Sequence, residues 1–116
     1  MERLSIGMKE IKMSQKTHWI KVGRVGVDAG LIWIGDPCYV IHKNDGELEK
    51  DGLGKDWMGF CDKLQSNEKD LVTDFGILGM AISSGFGDGC YDVYVKYSDE
   101  GSWGRRVAEA KIVFID

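Results

Sequence analysis

Two neighbouring stretches of two-residue alternation constrain the fold more than any other feature. Tyr91, Val93, Val95 and Tyr97 alternate with Asp92, Tyr94 and Lys96. Ala108, Ala110, Ile112 and Phe114 alternate with Val107, Glu109, Lys111 and Val113. Successive side chains of a strand point to opposite faces, so this period marks strands with one dry and one wet side. Ser98-Asp99-Glu100-Gly101-Ser102 with Gly104 joins them, too long for a two-residue turn but normal for a hairpin loop. The rest of the chain must extend an antiparallel hairpin.

Trp19 to Val25 reads as a further strand, followed by the turn signal Asp28-Ala29-Gly30. Leu31-Ile32-Trp33-Ile34 is a continuous apolar run, expected to be buried on both faces. Gly35-Asp36-Pro37 interrupts it, and Cys38 to Ile41 is predicted to resume extended structure. Ile77 to Ser83 is the remaining predicted strand, and Asn44 to Lys55 a polar, glycine-punctuated loop. Trp57, Phe60, Cys61 and Leu64 fall at i, i+3, i+4 and i+7, the apolar stripe of a helix, with Asp56 as its N-cap. The expected fold class is mainly β (α+β). About six strands form a mostly antiparallel sheet or small open barrel, with one amphipathic helix packed on it. Residues 1–17 are expected to be a flexible or docking arm, and residues 18–116 a single β-rich domain.

Composition narrows the function classes. A formal charge of −4 provides no overall basic field, which disfavours a nucleic-acid polymer as partner and leaves room only for a local basic patch. No apolar run approaches the ~20 residues that cross a bilayer, so no membrane partner is expected. Cys38, Cys61 and Cys90 are odd in number and form no CxxC pair. Reduced thiols in a cytoplasm, that of its own cell or of an infected host, follow as the default. Sixteen glycines against one proline imply tight turns and close backbone approaches.

The candidate site grows from a near-repeat: Gly35-Asp36-Pro37-Cys38-Tyr39 and Gly87-Asp88-Gly89-Cys90-Tyr91 agree at four of five places. Each unit supplies a turn glycine and an aspartate able to accept from local backbone N–H groups. Successive amides in Gly85-Phe86-Gly87-Asp88-Gly89 can form an anion-binding concavity. The GxGxG spacing there is no dinucleotide fingerprint, because a strand and not a helix follows. Trp103 with Arg105 and Arg106 offers a stacking ring and bidentate phosphate donors, against the bland reading of a solvated hairpin end. The arginines begin one strand and the glycine loop ends another, which allows both to share a rim of the sheet. The candidate ligand-binding residues are therefore Gly85, Phe86, Gly87, Asp88, Gly89, Trp103, Arg105 and Arg106, with Asp36 and Tyr39 from the first copy.

No catalytic or metal-binding set emerges, and no cofactor is expected. Cys38 and His42 would share a strand face but stand ~13 Å apart, beyond a hydrogen bond, and Cys38 is expected to be a buried structural thiol. His18 and His42 lack clustered partners for zinc. Asp36, Asp88 and Asp92 have no EF-hand spacing, and Asp74-Phe75-Gly76 stands without any other kinase element.

Ser84-Gly85-Phe86-Gly87-Asp88-Gly89-Cys90-Tyr91-Asp92-Val93-Tyr94, followed by Arg106-Val107-Ala108 to Val113-Phe114, resembles the C-terminal part of the domain-of-unknown-function 4241 proteins. The segment from Gly30 to Asp36-Pro37 is similar to their opening strand and aspartate-proline corner, and together these cover about half the chain. The chain is shorter and lacks a proline-glycine turn between the two parts. The resemblance implies a β-rich fold and carries no activity with it. The functional expectation is a non-enzymatic domain holding a small phosphate-bearing, nucleotide-like ligand, by analogy of size with phage sponges that sequester a nucleotide immune signal. The alternatives are a protein-interaction or immunity-type module, and then a small hydrolase with Asp88 or Cys38 at its centre. A homo-oligomer is compatible with each.

Overall fold

The computed structural model describes residues 16–40 and 51–116. In chain order the elements are β1 (Ile20–Val27), β2 (Leu31–Ile34), α1 (Trp57–Asn67), β3 (Glu68–Lys69), β4 (Val72–Asp74), β5 (Met80–Ser83), β6 (Gly89–Asp99) and β7 (Arg105–Val113). The protein is mainly β with one helix among the described residues, as the alternation requires. The strands form two sheets rather than one, with orders β1-β6-β7 and β2-β5-β4-β3, and neither closes into a barrel. Two compact units result: Met1–Gly26 with Cys90–Asp116, and Val27–Gly89.

In the first unit β6 is the central strand. β6 and β7 pair antiparallel from Asp92↔Val113 to Asp99↔Arg105, with a register shift between Lys96 and Tyr97. Lys96 faces Glu109 and Tyr97 faces Val107, so Ala108 is the extra residue of a β-bulge. The connecting loop is a 3-10 turn, Gly101–Trp103, closed by Glu100 N–H to the Gly104 carbonyl at 2.9 Å. Pairing on the other side of β6 begins before β1. Lys16 bridges Ser98, and Thr17 N–H donates to the Tyr97 carbonyl at 2.8 Å. Of the predicted 1–17 arm, residues 1–15 lie outside the described residues. One face of this sheet is apolar, with Val95 buried opposite Ala110, Val93 opposite Ile112, and Tyr91 edge-on to Phe114 at 5.3 Å.

The second unit is built around aromatic rings. Phe60 stacks on Phe75 at 5.1 Å and meets Trp33 edge-on at 5.5 Å. Asp56 caps α1 as predicted, its carboxylate accepting from Gly59 N–H at 2.9 Å. Of the predicted stripe, Phe60 is 7% exposed and Cys61 and Leu64 are half-buried, whereas Trp57 is 55% exposed. Trp57 opens the first turn of the helix and lays its ring beside Phe60 (5.7 Å) instead of under the helix. The helix rests on β4, where the Thr73 hydroxyl donates to the Leu64 carbonyl at 3.3 Å.

Several expectations are corrected here. Leu31–Ile34 is a strand but not buried on both faces: it pairs only with β5 at the sheet edge, half-buried, with Ile34 exposed. Pro37–Tyr39 is a 3-10 turn rather than extended, because proline's fixed φ suits a helical first position and Asp36 caps it. Cys38 is exposed there, not a buried thiol. Ile41 and His42 lie outside the described residues, as does most of the 44–55 loop, of which Asp51–Leu53 is a 3-10 turn. In Ile77–Ser83 only Met80–Ser83 is strand, and Gly76–Leu78 is a 3-10 turn. The β3–β4 hairpin was not expected. Its turn, Asp70-Leu71, takes positive φ at both positions (52° and 69°) without the usual Asn-Gly pair.

Candidate ligand-binding face

The glycine loop belongs to the second unit and is held by its own hydrogen bonds. Ser84 is fully buried and donates through its hydroxyl to the Gly87 carbonyl at 2.8 Å. Gly87 N–H donates back to the Ser84 carbonyl at 3.0 Å, and Ser84 N–H to the Gly30 carbonyl at 3.1 Å. Gly87 has φ 115°, a conformation that needs glycine. One of the amides expected to face an anion is therefore engaged within the turn. Phe86, at the tip, is 91% exposed, and Gly85, Asp88 and Gly89 are exposed beside it.

The first copy of the near-repeat does something else. Asp36 Oδ1 accepts from Cys38 N–H at 3.0 Å, so its carboxylate caps the turn into Tyr39, which is half-buried. That backbone hydrogen bond, then the Cys38 side chain, holds the Asp36 carboxyl below the usual aspartate value. Gly35-Asp36-Pro37-Cys38-Tyr39 thus enters a 3-10 turn, while Gly87-Asp88-Gly89-Cys90-Tyr91 enters β6. The two words share turn chemistry and not a structure.

Trp103, Arg105 and Arg106 occupy the hairpin end of the first unit. Trp103 is 76% exposed and the Arg105 guanidinium lies 3.9 Å over the Tyr97 ring. The glycine loop belongs to the second unit and this cluster to the first. An antiparallel hairpin puts the start of β7 beside the end of β6, with Arg105 opposite Asp99 and Arg106 opposite Ser98. The loop feeds the other end of β6. Cys90 and Asp99 are nine residues apart along it, about 30 Å.

The residues that sequence reasoning missed lie on the wet face of the same sheet. Just before β1, the Trp19 ring has the Lys96 ammonium 5.0 Å and the Lys111 ammonium 4.4 Å from its centroid. Lys111 also lies 5.5 Å from the Tyr94 ring. Lys16 pairs with Glu109 at 3.5 Å, while Asp92 receives Lys21 at 3.1 Å and Arg24 at 3.7 Å. The register explains the grouping: Asp92, Tyr94 and Lys96 point to one face of β6, opposite Val113, Lys111 and Glu109. Five cations meet two carboxylates there, a local excess of +3 in a chain of −4. The signal in the sequence was the polar half of the alternation, read only as a solvated face.

At the Cys90 end of this sheet a groove of about 440 Å³ opens, lined by Lys21 and Arg24, by the carboxylates of Asp92 and Asp116, and by Tyr91 and Phe114 among others. Its size suits a small-molecule ligand. The ion pairs along it are solvent-exposed, and such pairs contribute about 0–1 kcal/mol each, so Asp92 holds Lys21 and Arg24 only weakly. In the second unit a groove of about 190 Å³, lined by Leu31, Leu64, Leu71, Thr73, Ala81 and Ser83 among others, carries no cation. Among the described residues no three His, Cys, Asp or Glu side chains are placed to hold a metal ion. No described helix is long and apolar enough to cross a membrane. No protein-family model, curated protein or solved structure matches the chain.

Proposed function

We propose that the chain is a non-enzymatic binding domain for a small phosphate-bearing ligand of nucleotide type, held on the cation-and-aromatic face of the β1-β6-β7 sheet. The observation that carries this reading is Trp19 with the ammonium groups of Lys96 and Lys111 at its ring. Two phosphate donors then stand over a half-buried aromatic ring, next to the groove that Lys21 and Arg24 line, and a base stacks on that ring as the ammonium groups turn to the phosphates. A domain that releases such a ligand unchanged acts by lowering its free concentration, which is the sequestration role suggested by the chain's size. The kinship with the domain-of-unknown-function 4241 proteins is proposed with it, on the Ser84 to Tyr94 stretch, the closing hairpin and the Gly30 to Pro37 corner.

Thermal-shift titration with nucleotides, nucleosides and inorganic phosphate tests the reading. Nucleotides raise Tm by mass action, and nucleosides do so far less. A charge-assisted hydrogen bond contributes roughly 1.5–3 kcal/mol, so Lys111→Met weakens binding about tenfold to a hundredfold with little change in Tm of the unliganded protein. Mass spectrometry then recovers the ligand intact. No response to any phosphate compound at millimolar concentration overturns the proposal in favour of a protein-interaction module, for which exposed Trp103 and Phe86 are the anchors to test.

A further inference from the structure

We infer that the ligand class of this face is single-stranded nucleic acid, an inference that rests on the phosphate-binding reading above and extends it from one nucleotide to several. Rows of side chains on one face of β6 recur every second residue, about 6.8 Å apart at 3.4 Å per residue. Cations stand along these rows in succession. Lys21 and Arg24 sit at Asp92, Lys111 at Tyr94, and Lys96 beside Glu109 and its partner Lys16. Arg106 follows opposite Ser98, which alternation places on the same face as Lys96. From Asp92 to Ser98 the track runs six residues, about 20 Å. A mononucleotide reaches one or two of these rows. A chain of phosphates engages them all.

The aromatic rings decide which polyanion fits. Trp19 and Tyr94 lie among the lysines, with Lys111 reaching both rings. Bases stack on such rings whatever their sequence, whereas an acidic peptide gains nothing from them. A stacking surface needs unstacked bases, so a single strand fits it and a duplex does not. The formal charge of −4 argued against a nucleic-acid partner. Yet the wet face of this one sheet concentrates positive charge, and the ligand meets that local field first. Only three or four phosphates are neutralised, so the dependence on salt is moderate: a slope of roughly −2 to −3 in log K against log salt. Affinity then falls about 20- to 50-fold between 50 and 200 mM salt.

Fluorescence anisotropy with a labelled twelve-nucleotide RNA, and its DNA counterpart, tests this on the full chain. The oligonucleotide binds at least tenfold more tightly than ATP, and unlabelled duplex and poly-glutamate compete poorly. Trp19→Leu weakens binding about fivefold or more, and Lys96→Gln and Lys111→Gln each flatten the salt slope by about 0.7. Glu109→Gln removes a carboxylate from the track and tightens binding, an effect that no loss of folding produces. ATP bound as tightly as the oligonucleotide overturns this inference and leaves the phosphate-binding reading standing. Neither ligand bound overturns both. Equal competition by poly-glutamate, or an unaltered Trp19→Leu variant, reduces the face to a general polyanion surface and overturns the assignment to nucleic acid, and equal competition by duplex overturns its single-stranded character.

Discussion

Truncating Phe60 to alanine should be the most damaging single change within α1. The side chain is nearly buried and packs on three rings: Phe75 stacked at 5.1 Å, Trp33 edge-on at 5.5 Å and Trp57 at 5.7 Å. Removing a buried phenylalanine costs about 3–5 kcal/mol, the lost transfer energy plus a cavity the neighbours only partly close. Three aromatic partners, each contributing about 0.5–1.5 kcal/mol beyond area burial, argue for the upper part of that range. Trp57, three residues earlier on the same predicted stripe, is more than half exposed, so Trp57→Ala should cost roughly half as much or less. Urea denaturation followed by near-ultraviolet circular dichroism measures both, because the ring cluster is the chromophore being disassembled. A Phe60→Ala midpoint shift smaller than that of Trp57→Ala, at equal slope, would refute the placement of Phe60 as the inward anchor.

Gly87→Ala meets no atom within 4 Å, so its cost is backbone strain alone, about 1–2 kcal/mol by thermal melting, and an unchanged Tm would contradict the positive φ. Leu71 is 67% exposed and held at φ 69°, so Leu71→Gly should stabilise the protein by up to about 1 kcal/mol in the same assay. The folded pKa of Asp36 is depressed, so its contribution is present above the unfolded value near 3.8 and is lost as pH falls through the lower folded value. The stability difference between the parent and Asp36→Ala should therefore shrink below about pH 3.8, and a difference that grows on acidification would reverse the sign.

The hairpin from Tyr91 to Phe114 was legible because its two-residue period and polar loop agree with the pairing that forms. Phe60 and the Asp56 cap were legible for the same reason: local signal and burial coincide. The β3–β4 hairpin was hidden because Asp70-Leu71 is a poor sequence for the left-handed turn it makes. The Glu68 carboxylate accepting from Leu71 N–H at 2.7 Å and Ser83 N–H bonding the Leu71 carbonyl at 3.0 Å hold it there. The Gly-Asp word drew attention to two turns that satisfy themselves internally. The charged face was hidden in plain alternation. Trp19, Tyr94, Lys96 and Lys111 are far apart in sequence, and only the β6–β7 register and the approach of the segment before β1 bring them together.

The most direct test of where phosphate binds is a nitrogen-15 NMR titration of the protein with ATP. The chain has four indole N–H reporters, of which Trp19 lies on the proposed face and Trp103 at the hairpin end. The structure predicts that the Trp19 indole and the amides of Lys21, Tyr94, Lys96 and Lys111 shift first and most, while Gly85 to Gly89 and the Trp103 indole stay in place. Shifts concentrated at Gly85 to Gly89, or at Trp103 and Arg105, would contradict the assignment of the ligand to this face.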